Sequence, residues 1–173
     1  MSNFIHLTNK TEYSLSEGAM TINRVAELCE SFNMPAVGIS DTNNMFGVLE
    51  FSERISKSGV QPLIGCNIKV KTPSDYQTDE ASKNSFFFLN LFAKNLSGYH
   101  NLLELSSLAY TKYPNQNAIN LSDIFSKKDG IILLSGGTKN LLSRLINYGK
   151  ISEASSFTKE LKNEFLDNLY IEI

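Results

Sequence analysis

Apolar positions along this chain keep two rhythms in turn. Residues 4–7 form a short apolar run of strand length, followed by a polar stretch ending at Gly18. Ile22, Val25, Ala26, Cys29 and Phe32 then fall at three- and four-residue steps, the single stripe of a helix over 21–32. Thr21 can cap its N-terminus, and Met34-Pro35 stops it, because the residue before proline avoids helical angles. Residues 36–39 read as a second, fully buried strand, and Asp41-Thr42-Asn43-Asn44 as a loop. A helix is expected over 46–57, with Val48, Leu49, Phe51 and Ile55 inward and Gly59 closing it. Residues 63–70 form a third strand, 72–83 a polar surface loop containing proline, and 85–93 a fourth strand. The helix expected over 96–110 offers Tyr99, Leu102, Leu103, Leu105 and Leu108 to a core. A short helical turn at 122–125 precedes a fifth strand at 131–134, which ends in Ser135-Gly136-Gly137. Helices over 141–148 and 152–165 lead to a sixth strand at 169–173.

Strands alternating with helices argue for strands lying side by side and mainly parallel, joined by helical crossovers. The pattern alone fits an open doubly wound sheet or a barrel. Because the last strand coincides with the last residue, the expectation is a barrel cut short at its C-terminal end.

Composition narrows the function only slightly. The 173 residues suffice for one domain with a core, and 42% apolar and 20% charged residues are ordinary for a globular protein. Sixteen basic against eighteen acidic residues give a net charge of −2, without the basic excess typical of a nucleic-acid binder. Cys29 and Cys66 form no zinc spacing and read as buried thiols in a reducing compartment. The N-terminus has no signal-peptide pattern, and the longest apolar run, 86–93, is broken by Asn90. The expected location is the cytoplasm, without a membrane. No glycine-rich nucleotide loop occurs; Ser135-Gly136-Gly137 before a helix could hold a phosphate, but a tight strand-to-helix turn is the simpler reading.

Five ordered blocks carry a resemblance. They are the run from His6 to Ala19 (HLTNKTEYSLSEGA), the run from Met34 to Gly47 (MPAVGISDTNNMFG), Gln61 to Cys66 (QPLIGC), Ala93-Lys94-Asn95 with Gly98 to Leu102, and Gly130 to Gly137 (GIILLSGG). Together they resemble the N-terminal polymerase and histidinol phosphatase (PHP) domain of bacterial DNA polymerase III alpha subunits. The resemblance implies an α/β fold, an incomplete distorted (β/α)7 barrel of the PHP type with mainly parallel strands. Residues 1–173 would supply most of that domain, with the polymerase domains absent.

Active members of that family hold a cluster of divalent metals with histidines, carboxylates and often a cysteine at strand ends, which activates water. Matched to this chain, the pattern keeps little. His6 stands at the first histidine of the opening HxH motif, Thr8 at the second, and Lys10 where a third commonly follows. Glu17 takes the place of an acidic ligand and is still competent to bind. Thr42 replaces the histidine of the Thr-Asp-His loop, Asn67 a glutamate, Phe88 a histidine, and Gly137 the cysteine of the Ser-Gly-Cys turn. Only His6 and Glu17 remain strong ligands among these positions. His6 alone is expected to be buried at a strand end and hydrogen-bonded, and Asp41 to be a loop-capping acceptor. Lys10 is expected to point at Glu17 or Asp41, its ammonium balancing carboxylates left without metal. His100 falls on a helix at a position that is not a ligand in the family.

The resemblance therefore implies a segment without catalytic residues or a bound metal, inside a subunit that extends DNA with magnesium. It would stabilise the polymerase and dock a separate proofreading exonuclease subunit. Its partners would be the rest of the alpha subunit, that exonuclease, and DNA through the holoenzyme. The competing expectation is an active metal-dependent phosphoesterase or 3'-to-5' exonuclease of the same family; a binding module unrelated to replication is the third.

Overall fold

A computed structural model describes residues 4–77, 85–137 and 140–172. The chain forms two compact units, Met1–Asn67 and Ile68–Ile173. Part of the expected 72–83 loop, from residue 78 on, and the last residue of the expected 169–173 strand lie outside the described residues.

In the first unit, helix α1 (Ile22–Ser31) buries Ile22, Val25, Ala26 and Cys29. Its N-cap Thr21 accepts a hydrogen bond from the Arg24 N–H at 3.2 Å. Asn33, in the left-handed region at φ 50°, ends it, and Met34 N–H donates to the Cys29 carbonyl at 2.9 Å. The helix thus stops before Pro35, two residues short of the proline's own block. Strand β1 (Ala36–Thr42) pairs in parallel with the start of strand β2 (Gln61–Lys71), in a register that sets Asp41 opposite Cys66 and Thr42 opposite Asn67. Helix α2 (Val48–Lys57) joins them, buries Val48, Phe51 and Ile55, and packs on α1. Gly59, at φ 72°, turns the chain after it.

Three expectations change here. Residues 4–7 are not a strand; instead the chain runs beside β1 with Gly38 N–H donating to the His6 carbonyl and Ser40 N–H to the Asn9 carbonyl, both at 2.8 Å. The approach is so close that a Cβ on Gly38 would stand 2.2 Å from the Leu7 carbonyl oxygen. Asp41 and Thr42 belong to β1 and not to a loop, so their side chains are fixed by the sheet. Phe32 and Leu49, both expected inward, are exposed: each lies at the edge of its helix's apolar arc, where only the centre of the arc meets the core.

In the second unit the order is β2, β3 (Phe86–Ala93), β4 (Ile131–Leu134), β5 (Leu169–Tyr170). Phe87, Leu89 and Leu91 alternate into the core at 0% exposure, and from Leu89 to Phe92 the strand is buried on both faces. β4 and β5 are parallel and β3 and β4 antiparallel, so the sheet is mainly parallel, as expected, with one reversed pairing. Two of the three described pairings are parallel. Helix α3 (Leu96–Thr111) buries Leu102, Leu105 and Ala109 against β3 and β4 but leaves Leu103 on the outside. Helices α4 (Leu121–Ser126), α5 (Leu141–Asn147) and α6 (Ile151–Phe165) complete the unit, α5 packing on α6.

Candidate functional site

The polar centre of the first unit is built on the end of β1. Asp41 is 1% exposed, and an isolated carboxylate so deeply buried would be costly. Three donors from the Thr11–Ser14 turn offset that cost. Its Oδ1 accepts from Thr11 N at 2.7 Å and from Ser14 Oγ at 2.6 Å, and its Oδ2 accepts from Thr11 Oγ1 at 2.7 Å. Ser14 Oγ also accepts from the Thr42 N–H at 3.0 Å, which ties the turn to the next residue of the strand. Asp41 is therefore a loop-holding acceptor.

The turn held in this way carries Glu17. Lys10 Nζ forms an ion pair with Glu17 Oε2 and donates to Thr42 Oγ1 at 2.6 Å. Thr42 Oγ1 donates to the same Glu17 oxygen at 2.6 Å, closing a triangle of ammonium, carboxylate and hydroxyl. Of the two carboxylates expected for Lys10, the structure gives it Glu17. Both side chains of the pair are about a third exposed, so the site is a shallow one at the surface.

Below it, Cys66 Sγ lies 3.4 Å from the carbonyl oxygens of both Asp41 and Asn44. Complete burial, with the Asp41 charge nearby, pushes this thiol up to about 12, so at neutral pH it is protonated and unreactive. Asn67 is buried at the end of the β1–β2 pairing, its carbonyl accepting from Asn43 N–H at 2.9 Å.

The two opening positions lie differently. Thr8 is exposed. His6, expected to be buried, is exposed too; its ring meets Phe4 edge-on at 4.7 Å and lines an apolar hollow against α1. The reason is local: with 4–7 lying along β1 as an irregular segment, the His6 backbone is held while its side chain faces outward.

The second unit holds the other two positions. Phe88 is half-buried in β3, and the backbone of Gly136 passes so near its carbonyl that an added Cβ would stand 2.7 Å away. Gly137 N–H donates to Glu172 Oε2 at 3.1 Å, and Asn90 Nδ2 donates to the same oxygen at 2.9 Å. The Glu172 N–H donates in turn to Ser135 Oγ at 3.1 Å. The glycine pair is thus a turn closed on a carboxylate. Glu172 escaped the sequence reading, though a lone carboxylate in the apolar run 169–173 was the signal available. His100 is exposed on α3 beside Tyr99.

Among the described residues, no group of three or more His, Cys, Asp and Glu side chains comes together in a way that could hold a metal ion. No helix among them is long and apolar enough to cross a membrane.

Residues 6–173 match the PHP domain family, and the chain belongs to it. Its alternating strands and helices are consistent with a partial (β/α) barrel of that family. Within it, the chain is 37% identical over 172 residues to the DNA polymerase III subunit alpha of Caulobacter vibrioides, covering 98% of this chain and 15% of that protein. It is 31% identical over 169 residues to the corresponding subunit of Haemophilus influenzae, covering 97% of this chain and 14% of that protein. The chain thus spans about a seventh of the length of these relatives. Among solved structures, an amidohydrolase from Chromobacterium violaceum overlaps 83% of this chain and 54% of its own at 12% identity and a TM-score of 0.43.

Proposed function

We propose that this chain serves as a non-catalytic PHP segment of a replicative DNA polymerase III alpha subunit, in which a lysine has taken over the electrostatic work of the family's metals. The observation that carries this reading is the Lys10–Glu17–Thr42 triangle. A carboxylate that already faces an ammonium and a hydroxyl has little left to offer a divalent ion. The donor set agrees: both Asp41 oxygens are taken by Thr11 and Ser14, and the Cys66 Sγ is enclosed against the Asp41 and Asn44 carbonyls. These residues do not fit a metal cluster.

In this reading the segment contributes architecture and a docking face. Its partners are the remainder of the alpha subunit and a proofreading exonuclease chain, and DNA is reached only through the assembled cytoplasmic polymerase. Magnesium belongs to the polymerase chemistry of the longer protein and not to this segment.

The test is hydrolysis of bis-p-nitrophenyl phosphate with added manganese or zinc. The expected rate equals that of metal alone in buffer. A metal-dependent rate that His6→Ala abolishes would favour a working phosphoesterase instead.

A further inference from the structure

We draw no further inference here: the strongest candidate, the apolar hollow beside α1 walled by Met20, Val25, Leu28, Cys29, Met34 and Val37, is an unpartnered apolar face, and nothing in the structure shows what covers it.

Discussion

The Lys10 ammonium is paired with the Glu17 carboxylate, although the two residues come from opposite sides of the Thr11–Ser14 turn, and Thr42 Oγ1 bonds to both. The pair is partly exposed, so its worth is that of a good surface ion pair, about 1 kcal/mol. Lys10→Met should lower the unfolding free energy by about that amount at low ionic strength and by less in high salt, where screening has already weakened the pair. A double-mutant cycle with Glu17→Gln, followed by urea unfolding, should give a clear coupling energy. A coupling indistinguishable from zero would remove the pair from the account.

Asp41 should matter more, because it is buried and serves three donors. Hydrogen bonds to a charged group contribute about 1.5–3 kcal/mol each, so Asp41→Ala is expected to cost at least about 3 kcal/mol. Asp41→Asn keeps one amide oxygen as an acceptor and should cost less. Hydrogen exchange gives the local signature: the Thr11 amide should lose its protection in the alanine variant. Unchanged protection there would contradict the idea that Asp41 holds the turn.

Gly38→Ala tests the packing of the N-terminal segment on β1. The new methyl would have to displace the Leu7 carbonyl from 2.2 Å, and overpacking of that kind costs about 1–3 kcal/mol. Thermal unfolding should show a lower midpoint, and the Gly38 amide, now bonded to the His6 carbonyl, should exchange faster. A midpoint at the wild-type value would mean that residues 6–9 are not seated as described.

The sequence made the helices legible because burial leaves a periodic trace: Ile22, Val25, Ala26 and Cys29, and then Val48, Phe51 and Ile55, mark their inner faces. The reversal of β3 against β4 left no such trace, since Phe87, Leu89 and Leu91 alternate alike in parallel and antiparallel strands. Residues 4–7 have a strand's composition, yet only part of their backbone finds partners on β1. At the site, Lys10 with Glu17 could be anticipated from charge, and Asp41 as a capping acceptor from its type. Its actual donors, Thr11 and Ser14, could not be, because they meet it only through the fold of the turn. Glu172 closing on Gly137 and Asn90 was missed for a similar reason, since the contact joins the ends of β3, β4 and β5.

The Cys66 thiol makes a prediction in pH. Burial first, and then the charge of Asp41, raise it to about 12, above its ordinary value. The folded chain therefore keeps a proton that the unfolded chain gives up as pH rises through the ordinary thiol range. The associated stability is fully present below that range and is lost progressively as pH climbs towards about 12. Cys29 and Tyr76 shift in the same direction, so the informative quantity is the difference between wild type and Cys66→Ala. The alkaline decline in unfolding free energy should be shallower in the variant, and native Cys66 should resist a thiol reagent at neutral pH. Equal slopes together with rapid labelling would place the thiol in water.

The central claim is that an ammonium stands where the family's metals would, and metal content tests it most directly. The chain, incubated with excess zinc or manganese, passed through a desalting column and analysed for elements, should carry well below one ion per molecule. Lys10→Met should not by itself create a cluster, because Glu17 would remain a single carboxylate beside a threonine. Two or more ions retained per chain after desalting would contradict the account.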